Sequence, residues 1–336
     1  MTSWRLSRKV LWPIGLLALA ALCAFPAAGA DIYFIRLLAG LWMYVALAAS
    51  WNLIGGYTGY LNLGHVTFFG LGAYIAAELL VQKGISPFLT APLAGLAACV
   101  LALIIGYPTL RLRGPYFAVM TLSIAFLAQV IFQNMTQVGG GLGIEMPAPP
   151  TDLHTTESLF YWAFLGLALM VVAVNILVER SRFGLSLLAI RNDEAMAEIS
   201  GVAVTRAKIL AFLLSAFFPG VIGAVFAYQI GYIEPGMAFD IKLSINLVLM
   251  VMLGGAARWA GPVIGAVIIY LLSQTLVFII PTELNQVLFG VILVIVIYTI
   301  PRGILGMLSS RRQAAPLPAA PAGADAVAAV QPQSGG

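Results

Sequence analysis

The residues whose types and spacing could do chemistry are few. Arg191, Glu194 and Glu198 stand at i, i+3 and i+7, which aligns them as a stripe on a helix, with Asp193 beside them. A mixed-charge stripe suits docking to another protein, because helices that lie on a membrane usually carry basic polar faces. Asn62 and His65 are three apart and share a helical face, with Thr67 close by. Polar groups in so apolar a setting face either a water-filled path or a neighbouring helix to which they hydrogen-bond. Thr121, Ser123, Gln129, Gln133 and Asn134 set the same alternative on a second apolar run. None of these is a catalytic constellation. His65 has no second His or Cys near it and makes no metal site. Cys23 and Cys99 lie in apolar runs and read as small hydrophobes. The Gly-rich stretch 138–143 lacks the Lys-Ser/Thr that a phosphate loop needs, and no G-x-S-x-G elbow occurs. The chain is therefore read as no enzyme, with no metal and no cofactor of its own.

The elements that must position these residues follow from composition. Of 336 residues, 61% are hydrophobic and only 9% charged. Soluble domains carry about 25% charge, so water cannot be the solvent of most of this chain. Disorder is excluded for most of the chain on the same grounds. The expected fold class is an all-α polytopic membrane protein. Apolar windows long enough for a hydrocarbon layer about 30 Å thick fall at 10–28, 34–54, 58–81, 87–107, 115–134, 159–178, 207–229, 242–257, 261–280 and 286–300. Ten spans with both termini in the cytoplasm place every one of the 17 basic residues inside except Arg36, Lys83 and Lys242. Inner loops are expected to carry such an excess. The net charge of +4 is thus a topology signal and not a nucleic-acid footprint.

The first window, preceded by Arg5, Arg8 and Lys9 and followed by Ala28-Gly29-Ala30, also resembles a secretory leader, and it is read as a retained span. Residues 1–312 are read as one transmembrane domain, and 313–336 as a disordered Ala/Pro-rich cytoplasmic tail. Residues 135–158 read as an outer loop, net acidic in company with the other outer segments, and Glu78 as the one acid inside a span.

Two segments are poor lipid-facing helices. Residues 55–77 carry Gly55, Gly56, Gly59, Gly64, Gly70 and Gly72 and read as a broken or path-lining helix. Residues 254–272 echo them loosely, which suggests an internal repeat. The longest cytoplasmic loop, 179–208, contains a helical pattern from Gly184 to Ser200, with Leu185, Leu188, Ala189, Met196 and Ile199 on one face and Gly201 as a stop.

The stretches YLNLGHVTFFGLGAY (60–74), RLRGPYFAVMTLSIA (111–125), RFGLSLLAIRNDEAMAEISGV (182–202) and KILAFLLSAFFPGVIGAVFA (208–227) together resemble the LivM-type permeases of branched-chain amino acid ABC importers. The resemblance runs from about residue 34 to 306. It implies an ABC-importer permease in a bacterial inner membrane, paired with a second, LivH-type permease. Two ATP-binding subunits would hold ATP and Mg, and a periplasmic binding protein would deliver the solute. It implies that 179–208 is the coupling loop, with Gly184, Ala189, Arg191, Glu194 and Gly201 matching the family pattern and Asp193 and Glu198 beside them. The general importer pattern of Glu-Ala-Ala, three residues and Gly is met with one residue too many. A path near 60–74 and 115–129 is implied, with Asn62, His65, Thr67, Tyr116, Thr121 and Gln129 as lining candidates. Similar permeases serve urea, amides or aromatic acids. From the residues alone, a secondary transporter or channel, or a membrane receptor, stays open.

Overall fold

The computed structural model describes residues 20–112, 114–277, 291 and 303–306. The expected span 286–300 apart from residue 291, the first half of 10–28, Arg113 and the tail 313–336 lie outside the described residues. Eleven helices are used here: α1 (Ile32–Trp51), α2 (His65–Lys83), α3 (Pro87–Thr109), α4 (Pro115–Asn134), α5 (Leu153–Arg180), α6 (Arg182–Asn192), α7 (Glu194–Ile199), α8 (Val204–Ile230), α9 (Pro235–Ala238), α10 (Ile241–Gly254) and α11 (Ala260–Val277). Among the described residues seven helical segments are long and apolar enough to cross a membrane, and α11 is a shorter apolar helix.

Local chemistry sets the helix ends. The Asp31 carboxylate accepts from Tyr33 N at 2.9 Å and starts α1, and Asp240 does the same for α10 through Lys242 N at 3.0 Å. Pro87 and Pro115 open α3 and α4, where a missing N–H costs nothing. α8 forms the centre and packs between α2 and α3, while α1 lies on α5 and on α11, and α11 on α10. The α2–α8 contact is a backbone approach. A Cβ on Gly72 would meet the carbonyl of Gly220, and one on Gly223 the carbonyl of Phe69. Close approach through small residues replaces the hydrophobic drive that lipid cannot supply.

Three expectations change. The window 58–81 is not helical from its start, because α1 runs into a π-turn at Asn52–Gly56 and the chain is irregular from Gly59 to Gly64 before α2 begins at His65. Gly59 lies in the left-handed region at φ 77°, which releases the chain from the helix. Glu157, expected in the outer loop, lies in the second turn of α5, buried, and pairs with Arg36 of α1. The single loop helix from Gly184 to Ser200 is two helices. Asp193 is extended, and its carboxylate accepts from Ala195 N and Met196 N to start α7.

A second interruption separates α10 from α11, with positive φ at Gly255 and Ala257. The Gly-rich stretch forms two short 3-10 turns, and the chain after them is clipped to the end of α8 by a two-stranded pairing of Ile144 with Ile233 and Glu145 with Tyr232.

Candidate functional site

The polar side chains gather where α1 breaks. The π-turn closes with Tyr57 N bonded to Asn52 O, one residue further back than in an α-helix. Asn52 is fully buried. Its amide donates to Asn175 Oδ1 of α5 at 2.9 Å, and its oxygen accepts from Ala257 N at 3.2 Å. Asn175 donates to Ala49 O at 2.9 Å and to Val171 O at 3.0 Å, and Tyr57 Oη donates to Asn175 O at 3.1 Å. One amide pair thus joins both helix interruptions to α5. Replacing Asn175 with leucine leaves the Asn52 amide with only the 3.4 Å bond to Arg258 O and is expected to cost about 2 kcal/mol. A thermal midpoint in detergent that matches the parent would show that the pair is not holding the breaks together.

Helices α6 and α7 dock onto the same break. Arg191 donates through Nη1 to Gly56 O, and its stem lies against Gly59. Burial pushes its guanidinium down from the ordinary value, yet arginine stays charged at any physiological pH. Glu194 bonds Tyr60 Oη at 2.7 Å and Lys208 Nζ at 2.8 Å. Lys208, at the start of α8 and 4% exposed, also donates to Tyr60 Oη at 3.0 Å and to Leu110 O at the end of α3 at 2.8 Å. An ammonium has three donors, and Lys208 reaches three acceptors. Glu198 and Glu194 line a cavity of about 480 Å³ with Tyr107, Arg111, Thr205 and Lys208.

Of the expected docking residues, Arg191 and Glu194 therefore turn inward, toward the membrane domain. Gly184 packs against Val178 O, Ala189 O accepts from Asp193 N, and Gly201 ends α7 in the left-handed region. The apolar residues of these helices divide by exposure. Leu187, Ile190 and Ala197 are buried, whereas Leu185, Met196 and Ile199 are 64%, 59% and 80% exposed.

The expected path residues divide. Asn62, His65, Thr67 and Thr121 are all buried around the start of α2. Trp51 Nε1 donates to Asn62 O at 2.7 Å, Asn62 Oδ1 accepts from Gly64 N at 3.0 Å, and Thr121 Oγ1 accepts from Leu63 N at 3.1 Å. His65 Nε2 lies 2.9 Å from Ser50 Oγ. Asn62 Nδ2, His65 Nδ1 and Thr67 Oγ1 are buried with no hydrogen-bond partner among the described residues. Tyr116 is 74% exposed on α4, and Gln129 lies thirteen residues further along that helix, about 20 Å away. The structure does not bring these two to the α2 cluster.

Asn52, Asn175, Tyr60 and Lys208 were not singled out by the sequence. Asn52 and Asn175 stand in apolar runs, Tyr60 opens the stretch 60–74 without carrying a charge, and Lys208 reads only as a topology marker. No group of three or more His, Cys, Asp or Glu that could hold a metal ion occurs among the described residues.

Long apolar helices, small-residue seams and polar networks at the helix breaks define a polytopic helical membrane protein. A profile of the family described as branched-chain amino acid transport system / permease component matches residues 33–297. The chain belongs to this family. It is 28% identical over 293 residues to the high-affinity branched-chain amino acid transport system permease protein LivM of Salmonella typhimurium, covering 79% of this chain and 68% of that one. It is 22% identical over 284 residues to LivH of Escherichia coli, described as a permease protein of the same kind of system, with 78% and 91% covered. BraD of Pseudomonas aeruginosa, another such permease protein, is 23% identical over 287 residues, with 78% and 91% covered. No solved structure matches.

Proposed function

We propose that the chain is one permease half of an ATP-driven importer for branched-chain amino acids in a bacterial inner membrane. Residues 1–312 form the permease domain, with ten spans, both termini in the cytoplasm and an internal repeat around the two helix breaks. A LivH-type permease supplies the other half of the path, a periplasmic protein delivers the solute, and two ATP-binding subunits dock on the cytoplasmic side. The nucleotide and its Mg belong to those subunits. The family match supports the transport role, and the observation that carries the coupling is the geometry of α6 and α7. These helices turn Leu185, Met196 and Ile199 outward and are tied inward by Arg191 and Glu194 to the break in α1.

The outward patch receives the ATPase. A push on α6 and α7 passes through Gly56 and Tyr60 into residues 59–64. There Asn62, His65, Thr67 and Thr121 sit on the path, and Tyr116 and Gln129 line it further along α4. Irregular backbone is tolerated at membrane depth where protein or a water-filled path surrounds it. The buried unpaired atoms of Asn62, His65 and Thr67 suit groups that find partners when the path opens.

The test is purification of the tagged chain in mild detergent with identification of what accompanies it. An ATPase and a second permease are expected. This chain alone, active in solute flux without ATP, would establish a secondary transporter or channel instead. Ile199→Glu places a charge in the outward patch and is expected to remove the ATPase from the purified complex while leaving the permease pair folded. Retention of the ATPase at parental yield would place the docking surface elsewhere.

A further inference from the structure

We infer that a cavity at the opposite end of the helices from the loop docking site holds a small zwitterion with an apolar side chain. This site lies in addition to the α2 cluster, and its place as an outward-facing site rests on the importer orientation proposed above.

The cavity has a volume of about 480 Å³ and lies between the first half of α1, the end of α8 and the second half of α11. Ligand sites of small molecules have about 300–1,000 Å³, so it can take an amino acid with some water. Its lining is unusual for apolar spans. Arg36, Gln229, Gln274, Tyr44 and Tyr270 supply polar groups, and Met43 and Phe226 an apolar wall. Arg36 stands near the start of α1, and its side chain is 62% exposed.

The charge of Arg36 is balanced by buried Glu157, which takes Arg36 Nε at 3.1 Å and also Nη2. A guanidinium has five N–H donors, so this pairing leaves donors for a carboxylate. The site as a whole is close to neutral, which disfavours a simple anion and favours a solute that brings both charges. Tyr44 and Tyr270 pack ring against ring in the wall, with centroids 5.3 Å apart, and the amide oxygens of Gln229 and Gln274 can accept from an ammonium. Gln274 Nε2 donates to Tyr270 Oη at 3.1 Å, which fixes the hydroxyl. Gly40 makes this arrangement possible. A Cβ there would collide with the Tyr270 hydroxyl, so glycine is the residue that lets the ring reach α1.

The same chemistry could be met by a phospholipid headgroup with an amine and a phosphate. A free solute is the occupant proposed, and the experiment separates the two. The complete importer is reconstituted, and ATP-dependent uptake of L-leucine, L-phenylalanine, urea and acetamide is measured. Binding of the transported amino acid to the permease complex without binding protein is then followed by equilibrium dialysis. Parent, Gln229→Leu and Tyr270→Phe are compared, with Arg36 left intact because its loss would strand Glu157. Each variant is expected to weaken binding roughly tenfold, with unchanged thermal midpoint and unchanged solute-independent ATPase rate. Parental binding in both variants overturns the proposal. So does an amine-bearing phospholipid found by native mass spectrometry in the parent, lost in the variants, with amino acid binding unaltered. Uptake of urea or acetamide and of no amino acid overturns the zwitterion site and leaves the importer reading standing. No ATP-dependent uptake of any of the four overturns the importer reading, and the site with it.

Discussion

Lys208→Met is expected to abolish ATP-driven uptake and to lower the stability of the permease by about 3 kcal/mol. The ammonium is buried and holds three elements at once, namely Glu194 of α7, Tyr60 of the broken segment and Leu110 O at the end of α3. Methionine keeps most of the volume and removes every donor. Glu194 then keeps a carboxylate at the membrane boundary without the Lys208 ammonium, and truncating one member of a buried pair costs more than the pair contributes. Lys208→Met/Glu194→Gln removes both charges. It is expected to regain much of the stability and little of the transport, because the link from α7 to residues 59–64 stays cut. Uptake is read in reconstituted vesicles and stability as a thermal midpoint in detergent. A single variant that transports normally would remove Lys208 from the coupling route. A double variant that recovers both properties together would make its role purely one of stability.

The second large effect concerns the helix seam. Gly72→Ala adds one methyl group, yet the atom it meets is the backbone carbonyl of Gly220. A side chain could rotate aside, whereas a helix backbone has to move as a body. α8 has no space to retreat into, because a Cβ at Gly220 would itself lie 2.7 Å from Ala98 Cβ and 2.9 Å from Ala94 O of α3. Overpacking costs about 1–3 kcal/mol where side chains can adjust, and here the upper end is expected. The monodisperse fraction after extraction should collapse. Gly166→Ala is the matched control, since nothing lies within 4 Å of a Cβ at Gly166. Equal behaviour of the two variants would mean that α2 and α8 are not in backbone contact.

The sequence made most helices legible because proline, aspartate and hydropathy mark their ends independently of tertiary context. Pro87, Pro115, Asp31 and Asp240 each start the helix where local chemistry says they should. The family was legible through four ordered stretches. The details of the loop were not, although one signal was present. Asn192-Asp193-Glu194 is a helix start, with an aspartate in the capping position and a glutamate after it. A single apolar stripe drawn across that cap puts Leu185, Met196 and Ile199 on one helix, whereas they belong to two helices with separate axes. The partners of Glu194 lie 134 and 14 residues away in Tyr60 and Lys208. Helical periodicity carries no information about such distances. Glu157 was misplaced for a related reason. A buried acid depresses the hydropathy of its window, so the apolar run begins after it even though the helix does not.

The π-turn at Asn52–Gly56 makes the length of this segment matter more than its composition. One additional residue is taken up there, and everything beyond it is rotated by about 100° relative to a continuous α-helix. Deleting any one residue from 52 to 56 would leave hydropathy and span length almost untouched and would make the helix more regular. It would also swing Tyr57 off Asn175 and carry Tyr60 out of phase with Glu194 and Lys208. Chains with the same apolar character but one residue fewer at this point could insert into a membrane and still lack the contacts that tie α6 and α7 to the interior.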